Sequence, residues 1–301
     1  MAMIQTAGLG RRARGYLALT KPRIIELLLV TTLPTMIVAK RGWPSVALMA
    51  WTLIGGALAA GGANAINMVV DRDIDAIMHR TRQRPLVTGV MTPSAALVFA
   101  VSLEVAAFVE LWALVNLLSA VLAVSATAFY VFVYTLWLKR SSRQNIVIGG
   151  AAGAVPVLVG WSAVTGGLGL APLVLFAIIF VWTPPHFWAL AFKYRDDYSA
   201  ADVPMLPAVA SFASTARQII FYSVALWATS LIFAPVGHMG VIYLGAALIL
   251  GAVFVFYALQ LRSDGTPQRA MKLFGWSITY LTLLFAAMAV DQLVHFHPHL
   301  I

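Results

Sequence analysis

The chain alternates long apolar runs with short polar breaks, and the runs set the architecture. Nine of them, approximately 24–39, 45–66, 94–112, 114–136, 145–164, 170–190, 218–236, 240–260 and 273–293, match the length a helix needs to cross a hydrocarbon core of ~30 Å. A β-barrel is disfavoured, because its strands alternate over short segments instead of staying apolar for about twenty residues. The breaks leave no room for a separate soluble domain. The pattern therefore predicts an all-α polytopic membrane protein, one integral membrane domain over residues 1–301. Residues 1–20 are expected to form a cytoplasmic N-terminal segment, and 294–301 a tail on the opposite side.

Composition narrows this further. Hydrophobic residues make up 61% and charged residues 10% of the chain, against about 25% charged in soluble domains, which excludes the water-soluble classes. With an odd number of spans, the N-terminus and the breaks after spans two, four, six and eight share one side. That side holds eighteen of the 20 Lys and Arg residues, and only Lys40 and Arg41 lie opposite. The positive-inside rule then puts the N-terminus in the cytoplasm. The net charge of +9 is read as topology and contact with the lipid bilayer, and no nucleic-acid partner is expected. There is no cysteine, so thiolate chemistry and disulfides are excluded. The basic first twenty residues lack the apolar core of a secretory signal and the length of a mitochondrial presequence, which points to a bacterial inner membrane.

Against this background the acidic residues stand out. Asp71, Asp73, Asp75, Asp196, Asp197 and Asp202, six of the 11 Asp and Glu, fall in the breaks after spans two and six, on the cytoplasmic side. Those breaks lie four spans apart, with the basic Lys139-Arg140-Ser141-Ser142-Arg143 between them. This suggests two pseudo-repeated four-helix units around a central cavity, with a ninth helix added.

Asn67, Asp71 and Asp75 are spaced four apart, so a helix continuing through them would carry all three on one stripe, ~6 Å between neighbours, with Asp73 turned away. Two carboxylates that close repel, and a divalent cation relieves the repulsion. Mg²⁺ binds through one or two carboxylates and completes its shell with water and substrate phosphates. Arginines follow at once in His79-Arg80-Thr81-Arg82-Gln83-Arg84-Pro85, and Arg forks match phosphate oxygens. Lys193, Arg195, Asp196 and Asp197 repeat the mixture. Metal-binding acids beside anion-binding bases suit a metal-bound diphosphate. Its position above an apolar bundle implies an amphiphile, head in the loops and tail between helices. The competing reading, ordinary solvated loop charges with a chance i, i+4 pair at Asp71 and Asp75, stays open, and two similar clusters on one side weigh against it.

These residues resemble the UbiA-type intramembrane prenyltransferases, whose first motif is usually N-D-xx-D-xxx-D; here Met68 stands where the first Asp would be. That departure points to the protoheme IX farnesyltransferase (heme O synthase) branch. Leu19-Thr20-Lys21-Pro22-Arg23, Asp75 to Leu86, Tyr134 to Arg140, Gln144 to Gly153, Trp182 to Leu190, Asp196-Asp197-Tyr198 and Pro204-Met205-Leu206-Pro207 resemble it too. The likeness runs over roughly residues 17 to 290. A second departure is Asp202, where the family usually has Gly.

The resemblance implies transfer of the farnesyl group of farnesyl diphosphate to the 2-vinyl group of heme B, with addition of water, giving heme O and diphosphate. It implies Asn67, Asp71, Asp75, Asp196 and Asp197 as catalytic residues holding Mg²⁺, and Arg80, Arg84, Lys139 and Lys193 as diphosphate-binding cations. A heme A synthase or an oxidase assembly factor is the implied protein partner.

His186, near the cytoplasmic end of span six, is a candidate heme contact through iron or a propionate; a hydrogen bond to a neighbouring helix is the plainer alternative. Glu26, Glu104 and Glu110 are expected to be the acids inside spans, where ionisable groups are functional by default. Gly149, Gly150 and Gly153 read as a close-packing face between helices. His295, His297 and His299 read as an exposed tail. Two rivals remain: the same chemistry on an aromatic quinone precursor, and a secondary transporter. Transporters place coupling residues at the bilayer midplane, whereas here the ionisable residues crowd one rim.

Overall fold

The structure is a computed structural model that describes residues 2–295, with side chains for all of these except 2–9, 11, 23, 24, 26–29, 264 and 295. It is all helical among the described residues. Helix α1 (Ala2–Thr20) is followed by α2 (Pro22–Lys40), α3 (Val46–Val70), the six-residue α4 (Arg72–Ile77) and α5 (Pro93–Leu114). Next, α6 (Leu117–Ala128) runs without a break through a π-helical stretch (Phe129–Leu138) into α7 (Lys139–Ser141). Then come α8 (Asn145–Thr165), α9 (Leu170–Lys193), the six-residue α10 (Arg195–Ala200), α11 (Leu206–Val209), α12 (Phe212–Val236), α13 (Val241–Asp264) and α14 (Pro267–His295).

Eight helices among the described residues are long and apolar enough to cross a membrane, so the chain is a multi-pass membrane protein. They correspond to the apolar runs from 45–66 onward. The run at 24–39 falls in α2. Several helices start where a short polar side chain takes up an unpaired first-turn amide. Ser45 accepts from the Leu48 N–H, Thr92 from Ala95, Asn116 from Ser119 and Ser211 from Ser214.

Helix α8 lies against α2, α6, α9 and the π-helical stretch, while α9 also packs on α12 and α14. Close approach explains two of the three glycines expected at a packing face. A Cβ on Gly149 would fall 2.3 Å from the Tyr134 ring, and one on Gly150 3.0 Å from Thr183. Among the described residues, a Cβ on Gly153 would meet nothing within 4 Å, so packing does not account for that position.

The expectation of three acids within the spans is corrected by Asp291 on α14, which is 2% exposed. Its carboxylate accepts from the backbone N–H groups of Gly240 (2.5 Å), Ile242 (3.0 Å) and Tyr243 (3.2 Å). Those are amides at the start of α13, whose donors have no partner within the helix and favour a negative charge. Glu104 accepts from Thr127 Oγ1 at 3.1 Å, but its Oε2 and both Glu110 oxygens are buried with no hydrogen-bond partner. Glu26, His295, His297 and His299 lie outside the described side chains.

Candidate active site

The site begins where α3 ends. Asp71 leaves the helical path slightly (φ −85°, ψ 4°), yet the Asp71 N–H still reaches the Asn67 carbonyl and the Asp75 N–H the Asp71 carbonyl. The stripe expected from four-residue spacing therefore survives the junction of α3 and α4. Asn67, Asp71 and Asp75 are all buried, and Asp73 is exposed on the other side.

Each buried group is matched to a base. Lys139, brought in at the end of the π-helical stretch, forms an ion pair with Asp71 Oδ2, and Asn67 Nδ2 donates to the same oxygen at 2.6 Å. Arg84 pairs with Asp75 at 2.5 Å. Arg140 forks onto Asp73 at 2.7 and 2.8 Å and holds that carboxyl down at about 2. Lys21 completes the set. Pro22 disfavours a helical conformation at the preceding residue; Lys21 turns left-handed (φ 51°, ψ 63°) and donates to Asn67 Oδ1 at 2.9 Å. Burial, then repulsion from Arg84 and Lys139, lowers its ammonium to about 7 against the pull of Asp75 and Asp71.

The second acidic segment is placed differently. Asp196 on α10 is exposed. Asp197 reaches across to the first loop, where its oxygens accept the backbone N–H groups of His79 and Arg80, each at 3.1 Å. The Tyr194 ring lies under Arg80 at 5.2 Å and under Lys193 at 5.6 Å, and both bases are exposed. Thus Asn67, Asp71, Asp75, Arg84 and Lys139 converge, while Arg80, Lys193, Asp196 and Asp197 form a separate rim.

His186 is not part of either group. It lies seven residues before Lys193 on α9, ~10 Å deeper along the axis, stacked between Trp182 and Phe274 at 4.2 and 4.7 Å. Its Nδ1 is 2.6 Å from Ser277 Oγ, whose own proton is directed at the Phe274 carbonyl, also at 2.6 Å. The imidazole is then the donor, which leaves Nε2 with its lone pair, the form that ligates a metal or accepts a hydrogen bond.

Sequence reasoning missed Lys21 and Thr135 as site residues. Thr135 accepts from Asn67 Nδ2 at 3.3 Å. The signals for these two residues were their places in two segments that resemble the family, Leu19 to Arg23 and Tyr134 to Arg140, and, for Lys21, its position before Pro22. Both departures from the family pattern have a physical reason. Met68 is 4% exposed and belongs to an apolar cluster with Leu19, Ala65 and Met91, where an unpaired carboxylate would be costly. Asp202 has φ 52°, a left-handed conformation natural to Gly and best tolerated otherwise by Asn or Asp.

The site has the donors a hard divalent cation uses: two carboxylates, an amide oxygen, and in Asp71 Oδ1 a buried oxygen with no hydrogen-bond partner. Among the described residues no three His, Asp or Glu side chains form a metal-binding group by themselves. Ligand oxygens from a substrate would be needed to complete the shell.

The profile of the UbiA prenyltransferase family matches residues 28–288, and the chain belongs to that family. Among individual relatives, it is 52% identical to the protoheme IX farnesyltransferase of Clavibacter sepedonicus over 97% of this chain and 96% of that one. It is 55% identical to the protoheme IX farnesyltransferase of Frankia casuarinae, over 94% of this chain and 99% of that one. The fold matches a digeranylgeranylglyceryl phosphate synthase with a TM-score of 0.76 at 17% identity, covering 93% and 98% of the two chains. It also matches a UbiA homologue from Archaeoglobus fulgidus bound to GPP and Mg²⁺, with a TM-score of 0.62 at 15% identity over 92% and 99%.

Proposed function

We infer that this protein transfers the farnesyl group of farnesyl diphosphate to the 2-vinyl group of heme B, with addition of water, giving heme O and diphosphate. The observation that carries this reading is the identity of 52–55%, over nearly the whole length of both chains, to protoheme IX farnesyltransferases. The geometry supports it, because a buried stripe of oxygen donors flanked by cationic side chains suits a metal-bound diphosphate.

Mg²⁺ is the implied ion; Asn67, Asp71 and Asp75 would hold it, with Asp196 from the second acidic segment. When bound, it supplies charge neutralisation for the departing diphosphate. Lys139, Arg84 and Lys21 then have a second task. Once their carboxylates and amide are otherwise engaged, these side chains turn to the phosphoryl oxygens, joined by Arg80 and Lys193 from the rim, and stabilise negative charge as the allylic C–O bond breaks. The helices keep bulk water from the farnesyl cation until the vinyl π bond attacks it. A second cation, beside the porphyrin, captures water, which gives up a proton to leave the hydroxyl group. His186, with Nε2 free to accept or ligate, is the proposed heme contact.

The same reading places the site at the cytoplasmic face of a bacterial inner membrane, on one membrane domain with nine spans, α2 counted with the other eight. The two units would be α2, α3, α5 and α6 with its π-helical end, and α8, α9, α12 and α13, with α14 added. In support, α4 and α10, each six residues long, follow the second helix of each unit. Product would pass to a heme A synthase or an oxidase assembly factor.

The test is to supply the purified protein with heme B, farnesyl diphosphate and Mg²⁺ and analyse the porphyrin by mass. A hydroxyethylfarnesyl product that disappears with a chelator is expected. Unchanged heme beside a prenylated quinone precursor would overturn the assignment.

A further inference from the structure

Asp196 and Asp197 are neighbours on α10, turned about 100° from one another, and they do not act as a unit. Asp196 is exposed. Asp197 grips two consecutive backbone amides of the opposite loop, His79 through Oδ1 and Arg80 through Oδ2, both at 3.1 Å. Those amides open the basic segment that carries Arg80, Arg82 and Arg84. It is also held to α4, by Thr81 Oγ1 on the Asp75 carbonyl at 3.0 Å and, at its far end, by Arg84 on the Asp75 carboxylate. The Arg80 guanidinium lies over Tyr194, at the junction of α9 and α10. The segment is thus tied both to α4 and to α10, and a carboxylate accepting two N–H bonds is the stronger kind of tie.

We propose that Asp197 is a positioning residue: it locks the Arg80–Arg84 loop to α10 and acts on the leaving diphosphate through those guanidiniums, leaving Asp196 as the acid of the pair that faces an ion. The diphosphate in this statement rests on the reaction inferred above; the lock does not.

The first experiment needs neither substrate nor metal. The full-length protein in detergent is digested briefly with trypsin, and cleavage after Arg80 and Arg82 is followed by mass spectrometry. Asp197→Ala is expected to raise the cleavage rate roughly tenfold, as loss of about 1.4 kcal/mol of loop closure would, while Asp196→Ala cleaves at the parent rate. In the second experiment, Asp197→Ala raises the KM for farnesyl diphosphate at least about fivefold with the Mg²⁺ concentration for half-maximal rate unchanged. Asp197→Asn falls between, since an amide oxygen can accept one of the two N–H bonds, and it serves if the alanine variant does not fold. A parental digestion pattern in Asp197→Ala, or a shift in Mg²⁺ requirement larger than the shift in KM, overturns the proposal. Should the parent fail to prenylate heme B, the digestion result still decides, so failure of the assigned reaction is distinguishable from failure of the lock.

Discussion

Asp71 and Asp291 are both buried carboxylates in a membrane protein, 0% and 2% exposed, and they are held in opposite ways. Asp291 is gripped by three backbone amides at the start of α13, which cannot leave without undoing that helix end. Asp71 is held by an amide side chain and by Lys139, whose ammonium rides on a flexible stem, while its other oxygen has no hydrogen bond and only the Arg140 guanidinium 3.7 Å away. A buried charge needs partners in either case. The kind of partner decides whether the charge is part of the scaffold or can exchange one cation for another.

The largest expected effect tests the exchangeable acid. Asp71→Asn should lower turnover by about a thousandfold, the scale seen when a group stabilising transition-state charge is removed, with helix content and membrane insertion unchanged. Loss of less than tenfold would erase the contrast with Asp291. Next in size, Asp291→Ala should destabilise the fold by about 2–4 kcal/mol, read as a lower melting temperature in detergent. Its surviving folded fraction should keep kcat/KM within about threefold, because the group lies far from the acids. Third, Lys139→Met should raise the KM for farnesyl diphosphate about tenfold and Lys21→Met somewhat less, each having lost a charge-assisted bond to phosphate.

The smallest effect belongs to Asp73. It is paired with Arg140 but exposed, so Asp73→Ala should change turnover less than about twofold, as surface ion pairs are weak. Because Arg140 depresses the Asp73 pKa, whatever the pair adds to stability is present above the ordinary carboxylate range. It fades only as pH falls toward about 2. Unfolding curves of parent and Asp73→Ala should therefore differ by a constant amount between pH 5 and 8.

Much of the bundle was legible because lipid imposes a simple rule: a backbone crossing hydrocarbon satisfies its own hydrogen bonds, and a long apolar run can do so only as a helix. The predicted runs stop short of the helix ends, for example at 66 where α3 reaches Val70 and at 190 where α9 reaches Lys193, because hydrogen bonding continues past the apolar edge. The Asn67, Asp71, Asp75 stripe was legible for a local reason, the helical period. What could not be read was long range. Lys21 meets Asn67 across 46 residues, Asp197 meets Arg80 across 117, and Asp291 meets Gly240 across 51. No local pattern announces such meetings, and a carboxylate near the end of an apolar run looks the same whether it will cap a helix or bind an ion.

The wide winding of Phe129–Leu138 has a consequence for where Lys139 points. Thr135 Oγ1 reaches the Tyr130 carbonyl five residues back, and the turns that permit it take up more residues than an α-helix would. Wound as an ordinary α-helix at about 100° per residue, the same ten residues would turn through a larger total angle, swinging Lys139 away from Asp71 although every site side chain was still present. In this stretch the width of the winding sets the chemistry as firmly as the identity of the residues.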